Sequence, residues 1–345
     1  MPALVTARRP RLFGIVLLVV LLLCALTASI ALGSRSLPLG TVFDALTCPD
    51  GFPLTCPAEG SAAQIVRELR LPRTGLALIT GLALGMAGAL IQGYTRNPLA
   101  DAGLLGLNAG AAFLAALSIH LFAFSSPNQF IWFAFAGALI AGLVVFGVSS
   151  VGGGKASPLS LVLAGAAVTA FLTAMTNVIV LLDGTALNTY RYWIAGDIAG
   201  HDLSVFRQVL PFLLTGAVLA LFAGPGLNLL GLGDDVARGL GVNLASNRAL
   251  GLASVVLLSG AATAAVGPIA FLGLIVPHLA RALTGPDYRW LIPYSGLIGA
   301  IVLLAADTVG RLVAQPGELQ AGVTLAAIGA PFFILLVRRR KLVSL

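Results

Sequence analysis

Long apolar stretches separated by short polar breaks make up most of the chain. An apolar stretch of about 20 residues is long enough to cross a bilayer as a helix. Helices are the default in lipid, because each backbone polar group must find its partner within the protein. The short alternating segments of a membrane β-barrel are not part of the pattern. The pattern therefore predicts an all-α polytopic membrane protein in which residues 1–345 form one transmembrane domain.

The positions of these stretches predict about ten transmembrane helices. Two segments, 69–101 and 227–245, are less apolar than the rest, which marks them as candidate contacts with other proteins. The predicted spans are 12–32, 75–93, 104–124, 130–150, 160–182, 206–223, 248–266, 269–284, 292–314 and 321–337.

The composition favours a membrane domain without a soluble one. The chain has 345 residues, of which 58% are hydrophobic and 10% are charged, whereas soluble domains carry about 25% charged residues. The net charge of +7 does not indicate a nucleic-acid partner, because the basic residues lie at the ends of the apolar stretches. Their excess on one side of the predicted spans follows the positive-inside rule. We therefore predict a multi-pass protein of the cell (inner) membrane with both termini in the cytoplasm.

Two cysteines share one polar loop after the first span. If the loop containing Cys48 and Cys56 is extracytoplasmic, as the predicted topology has it, a disulfide between them is favoured. The alternative is a pair of free thiols. Their spacing does not match a zinc or redox motif.

Motifs for catalysis or for cofactor binding are missing from the sequence. Residues 151–156 read VGGGKA, but Ser149 and Ala156 occupy positions where a P-loop requires Gly and Ser or Thr. The three histidines are far apart, so no metal site is predicted. Asp307 is a candidate for ion coupling within a span, although Arg311 on the same helix face favours a local ion pair. We therefore predict no catalytic residues and consider an ion-coupled transporter or a membrane enzyme less compatible with the sequence.

The two less apolar segments each suggest a contact site. In 227–245, Gly231 and Gly233 are expected to end one helix, and Asp234 or Asp235 to cap a short second one. The leucines and valines on this short helix would present an apolar side to a partner groove. In 69–101, Arg70 and Arg73 precede a span, where they could receive acidic side chains of an external protein. The alternative for both arginines is snorkelling at the membrane interface.

Six sequence blocks occur in an order that resembles the FecCD/BtuC-type permeases. The blocks are LRLPRTGLAL, GALIQGYTRNPLADAGLLGLNAGA, LGLGDDVARGLGV, VGPIAFLGLIVPHLARALTGPDYRW, AADTVGR and GELQAGVTLAAIGAPFF. Members of this family are the membrane subunits of type II ABC importers for iron siderophores, haem and cobalamin, and the resemblance extends over residues from about 12 to 340. It is strongest to the subunits that import ferric enterobactin, which implies a catecholate siderophore as cargo. Another ferric chelate, haem or cobalamin is the alternative.

The resemblance also implies partners and site residues. A second permease subunit, a paralogous chain, is expected beside this one, with two cytoplasmic ABC ATPase subunits that hold ATP and Mg²⁺ and an extracytoplasmic siderophore-binding protein. This chain itself is expected to hold no cofactor. The implied docking residues for the binding protein are Arg70, Arg73 and Arg311. The implied coupling residues for the ATPases are Leu232, Gly233, Asp234, Asp235, Ala237, Arg238 and Gly241. The implied translocation path includes Thr173, Thr176, Asn177 and Thr324. The implied gate comprises Ser157, Pro158 and Leu159, with Pro158 and Leu159 standing where some members have small hydroxyl residues.

Overall fold

The computed structural model describes residues 8–33, 37–47, 64–150, 158–315 and 317–338, and the regular structure within those ranges is helical. The α-helices are α1 (Arg8–Ala31), α2 (Leu39–Thr47), α3 (Leu71–Thr95), α4 (Leu107–Phe122), α5 (Pro127–Ser150), α6 (Pro158–Leu182), α7 (Gly184–Ile194), α8 (Leu203–Leu230), α9 (Asp234–Gly239), α10 (Leu244–Val266), α11 (Leu272–Thr284), α12 (Tyr288–Val313) and α13 (Ala321–Arg338). A π-helical turn (Ile65–Arg70) precedes α3, and a 3₁₀ turn (Ala102–Leu105) precedes α4.

The all-α membrane fold predicted from the sequence is confirmed. Among the described residues, seven helices are long and apolar enough to cross a membrane, and α4, α11 and α13 are shorter apolar helices that fall on the other three predicted spans. The largest difference is in α8, which continues through Pro225 to Leu230 although its span was predicted to end at 223. Leu227 and Leu230 are buried in the core, so tertiary packing outweighs the helix-breaking tendency of the proline.

Carboxylate and amide side chains begin four of the helices. Asp183 accepts hydrogen bonds from the first backbone N–H groups of α7, and Asp202 does the same for α8. Asn243 and Asp287 cap α10 and α12 in the same way. These caps satisfy amides that have no partner within their own helix.

Helices α3 and α10 lie at the centre of the bundle, whereas most of the surface of α1 and α6 is exposed. Small residues let α3 approach α12 backbone to backbone. A Cβ added at Gly85 would lie 2.1 Å from the Ser295 carbonyl oxygen, and one at Gly81 would lie 2.6 Å from the Ala300 Cα. Gly81, Gly85 and Ala89, at intervals of four residues, thus lie on a packing face between spans.

A non-helical segment, 267–271, separates α10 from α11 and supports the loop between α7 and α8. Gly267 has φ of 77°, and a Cβ there would lie 1.9 Å from the Trp193 carbonyl oxygen. In the same region the Gly322 amide at the start of α13 donates to the Gly196 carbonyl at 3.0 Å. Gly196 in the loop from 195 to 202 is therefore held against both the 267–271 segment and the start of α13.

Candidate functional site

Three arginines from separate parts of the sequence line one cavity. Arg70 lies in the π-helical turn, Arg73 in the first turn of α3, and Arg311 near the end of α12. They surround a cavity of about 520 Å³, called here the arginine cavity, together with Glu68, Glu318 and the loop residues from 199 to 202. The structure thus brings together the three residues for which a docking role was expected.

Buried ion pairs fix two of these arginines. The Arg73 Nη2 lies 2.8 Å from a carboxylate oxygen of Asp307, which is fully buried, and Arg73 also pairs with Glu318. The Arg311 Nη2 lies 3.2 Å from the other oxygen of Asp307. The local ion pair predicted between Asp307 and Arg311 is present, but Asp307 also binds an arginine that lies 234 positions earlier in the sequence.

Arg70 and Arg311 also cap the carboxyl end of α1. Arg70 donates to the carbonyls of Ile30 at 2.5 Å and Ala31 at 2.8 Å, and Arg311 donates to those of Ser29 and Leu32 at 3.0 Å. Cations at a helix C-terminus satisfy its last carbonyls and interact favourably with its dipole.

The snorkelling alternative for Arg70 and Arg73 is wrong. Snorkelling would place both guanidinium groups in water, but these two residues are 6% and 8% exposed. The groups are instead engaged with helix carbonyls and with carboxylates. Both residues still line the arginine cavity, so part of each side chain faces its interior.

The segment between α8 and α10 forms a short helix at the opposite end of α3. Asp234 binds two arginines there, with one carboxylate oxygen 2.8 Å from Arg96 and the other 2.7 Å from Arg248. Arg96 follows the last residue of α3 and also donates to the Leu230 carbonyl at 2.8 Å. We call these three residues the Asp234 clamp, because they join α9 to the ends of α3 and α10.

The predicted capping role of Asp234 and Asp235 is wrong. Gly233, with φ of 105°, precedes α9, and both aspartates lie in its first turn. Partial burial raises the pKa of Asp234, but Arg248 and Arg96 lower it by more, so the pKa lies below the usual aspartate value. The carboxylate is therefore charged at neutral pH. Each of its two oxygens binds one arginine, and hydrogen bonds between two ionised groups are among the stronger ones in proteins.

One side of α9 is buried and the other carries exposed apolar residues. Ala237 is fully buried, whereas Val236 in α9 and Leu232 and Leu240 on either side of the helix are at least half exposed. Arg238 pairs with Asp235 at 2.8 Å on the exposed side, and Gly241, with φ of 85°, ends the segment. The apolar side expected for this short helix is thus open to a partner.

The remaining predicted residues are spread over other helices. Thr173 and Asn177 lie on the exposed face of α6, whereas Thr176 is buried and donates to the Leu172 carbonyl at 2.8 Å. Thr324 in α13 is also buried and donates to the carbonyl of Gln320, just before that helix, at 3.3 Å. Leu159 is exposed in the first turn of α6, which begins at Pro158. Ser157, Cys48 and Cys56 lie outside the described residues.

Comparison with known proteins decides what kind of protein carries these features. The model of the FecCD transport family matches residues 19–339. The chain belongs to that family. It is 46% identical over 324 residues to the ferric enterobactin transport system permease protein FepD of Escherichia coli, covering 94% of each chain. It is 37% identical to the iron(3+)-hydroxamate import system permease protein FhuB of Bacillus subtilis, covering 96% of this chain and 85% of the relative.

A solved structure has the same fold. It shows an inward-facing conformation of a metal-chelate type ABC transporter, to which this chain is 28% identical with a TM-score of 0.80, over 95% of this chain and 98% of the other. The chain is accordingly a multi-pass membrane permease of the FecCD transport family. As a transporter permease subunit it is not itself an enzyme.

Sequence reasoning missed three residues of these sites and one partner of a fourth. Glu318, Arg96 and Arg248 were not singled out, and Asp307 was paired with one arginine instead of two. Each lies far in sequence from its partner, the closest being Arg248, 14 positions from Asp234. The signal that could have found them is the excess of charged residues at the predicted helix ends, which must pair when the ends meet.

Proposed function

We propose that this chain is the permease subunit of an ATP-driven importer for a ferric catecholate siderophore of the enterobactin type. The main support for this proposal is the 46% identity to a ferric enterobactin permease over nearly the whole chain. The chain would work with a paralogous permease subunit, an extracytoplasmic binding protein and two separate ATPase chains that hold ATP and Mg²⁺. Both termini would then face the cytoplasm, with the arginine cavity outside and the Asp234 clamp inside.

The binding protein would dock at the arginine cavity through acidic side chains. Asp307 is fully buried, so its pair with Arg73 stays in place when a partner approaches. Glu318 is the other partner of Arg73, and its side chain is 36% exposed. An incoming carboxylate can therefore replace Glu318 on Arg73 without breaking the buried pair. Arg70 and Arg311 would complete the cation set that attracts the acidic side chains.

The ATPases would bind the exposed side of α9. Val236 in α9 and the flanking Leu232 and Leu240 are exposed apolar side chains that a groove on a partner could cover, and an amphipathic helix commonly docks in this way. The Asp234 clamp would transmit the movement of α9 to α3 and α10. Since α3 also bears Arg73, about 35 Å away at a rise of 1.5 Å per residue, one helix joins the docking end to the ATPase end.

The cargo would pass along the face of α6 that is exposed in the single chain. Thr173 and Asn177 are polar groups on that face, and a paralogous subunit beside it would enclose them. Thr176 and Thr324 are buried, so a role in the path requires a rotation of α6 or α13. The gate would lie at residues 157–159, where α6 begins.

The experiment is iron uptake in cells that lack this chain, with and without a plasmid that restores it. Radiolabelled iron would be supplied as a catecholate, a hydroxamate, citrate and haem, each before and after ATP depletion. ATP-dependent uptake of the catecholate alone is expected to require the chain. If uptake of the ferric hydroxamate requires the chain instead, the cargo is a hydroxamate, as it is for the relative at 37% identity. Uptake of every chelate without the chain would contradict the proposal.

A further inference from the structure

A groove on the surface of the bundle lies between α4, α5 and α6. It has a volume of about 220 Å³, and the ten residues of these helices that line it are glycines or residues with apolar side chains. Ile140 and Phe171 are among them, and each is more than half exposed, so the groove is open to the surface. We call it the α4–α6 groove.

The shape of the groove follows from the spacing of its residues. On α5 they are Gly137, Ile140, Ala141 and Val144, which recur at intervals of three and four and therefore lie on one face of the helix. Gly137 also meets Gly110 of α4 backbone to backbone, because a Cβ added at either would collide with the carbonyl oxygen of the other. This glycine pair brings α4 and α5 together without side chains between them, and larger apolar side chains border the space beside it.

The groove lies near the middle of its helices. Val168, one of its lining residues, is about 15 Å along α6 from Pro158 at a rise of 1.5 Å per residue. That distance is about half the thickness of the hydrocarbon core of a bilayer, which is roughly 30 Å. Lipid headgroups and dissolved solutes lie outside this depth. The available occupants are therefore acyl chains of lipids and apolar side chains of another membrane protein.

The two faces of α6 distinguish these occupants. The groove residues of α6 are Val168, Phe171 and Leu172, whereas the exposed polar residues proposed to border the cargo path are Thr173 and Asn177. At about 100° per residue, the centres of the two sets are roughly 165° apart around the helix axis. A second permease subunit that encloses the polar face would leave the groove on the opposite side, where it faces lipid. Only this choice between the two occupants rests on the proposed function.

We propose that the α4–α6 groove binds an acyl chain of a membrane phospholipid. An apolar cavity of about 150 Å³ stays dry and admits benzene, so by proportion the groove has room for a segment of about nine carbon atoms. The chain would supply the van der Waals contacts that the lining residues lack on their open side. Because most of the surface of α6 is exposed, the chain would also add to the contacts that hold α6 against α4 and α5.

The test is photolabelling of the full chain in lipid nanodiscs with a phosphatidylcholine that carries a diazirine in the middle of one acyl chain. Mass spectrometry of the digested chain gives the labelled fraction at each residue. Leu143 and Val144 are neighbours in α5, and Leu143, which is outside the groove, is the more exposed at 61% against 44%. Val144 is nevertheless expected to carry severalfold more label, because a chain held in the groove stays beside it. More label on Leu143 than on Val144 would overturn the proposal.

Two matched variants test whether the chain occupies the groove itself. Val144→Trp adds volume inside the groove and should lower the labelling of Phe171 severalfold. Leu143→Trp adds the same ring outside the groove and should leave that labelling unchanged. Equal labelling of Phe171 in the two variants would contradict the site. The comparison of Leu143 with Val144 in the wild-type chain does not depend on the folding of either variant.

Labelling of the assembled importer separates lipid from the second permease subunit. The label on Val144 and Phe171 is expected to persist after assembly. Its loss would assign the groove to the other subunit and overturn the proposal. These outcomes are distinct from those of the uptake experiment. A chain that imports another chelate and keeps the labelling pattern would retain the groove and reject the proposed cargo.

Discussion

Removing the buried carboxylate of Asp307 should destabilise the protein far more than removing the exposed carboxylate that shares its arginine. Asp307→Ala leaves two buried guanidinium groups without their common counter-charge. Breaking a buried ion pair by removing one partner costs on the order of 3–5 kcal/mol. Arg73 keeps Glu318, and Arg311 keeps the carbonyls of Ser29 and Leu32, so the lower value of about 3 kcal/mol is expected.

The assay is reversible unfolding of the purified chain by SDS in mixed micelles. A loss of about 3 kcal/mol lowers the folding equilibrium constant roughly a hundredfold. Glu318→Gln is the matched control, because it removes the other carboxylate from Arg73 at a side chain that is 36% exposed. It should cost no more than about 1 kcal/mol, as exposed pairs do. The reasoning would be refuted by an Asp307→Ala variant within 1 kcal/mol of wild type, or by equal losses in the two variants.

Three further predictions concern coupling, packing and docking. Asp234→Asn weakens both bonds of the Asp234 clamp and should lower the amount of cargo moved per ATP hydrolysed severalfold in reconstituted vesicles. Arg289→Ala, at an exposed arginine of the same end, should leave that ratio unchanged. Equal ratios in the two variants would contradict the role of the clamp. Gly85→Ala forces a Cβ against the Ser295 carbonyl and should cost about 1–3 kcal/mol in SDS unfolding, while Gly147→Ala, which meets nothing within 4 Å, should cost nothing. Glu318→Gln should increase the affinity of the binding protein for this chain, measured by surface plasmon resonance, because it removes the carboxylate that occupies Arg73. A lower affinity would contradict the proposed replacement of Glu318 by a carboxylate of the binding protein.

The spans could be predicted from the sequence because a long apolar stretch has one stable arrangement in lipid. The short helix α9 was also predictable, since glycines and acidic residues interrupt an apolar region in a recognisable order. The end of α8 was not, because burial of Leu227 and Leu230 against other helices carries the helix past Pro225. Rules based on neighbouring residues take the proline into account but not the packing against other helices.

The partners of the charged residues could not be predicted for a related reason. A capping rule assigned Asp234 to its own helix, but Arg96 at the end of α3 and Arg248 in α10 bind it instead. The rule for spacing on one helix face found Arg311 beside Asp307, and it could not find Arg73 on another helix. Sequence spacing identifies pairs within one element, whereas these sites are assembled where the ends of several helices meet.

Import of a ferric catecholate with energy from ATP is the function that we propose for this chain. The most direct measurement is accumulation of a radiolabelled ferric catecholate in vesicles reconstituted with this chain, its paralogous permease, the ATPase subunits and the binding protein. Accumulation is expected when Mg-ATP is present on the side of the membrane that carries the ATPase subunits. None is expected with a non-hydrolysable analogue, and collapsing the ion gradients should have no effect. Accumulation that persists without ATP and disappears with the ion gradient would contradict the proposed function.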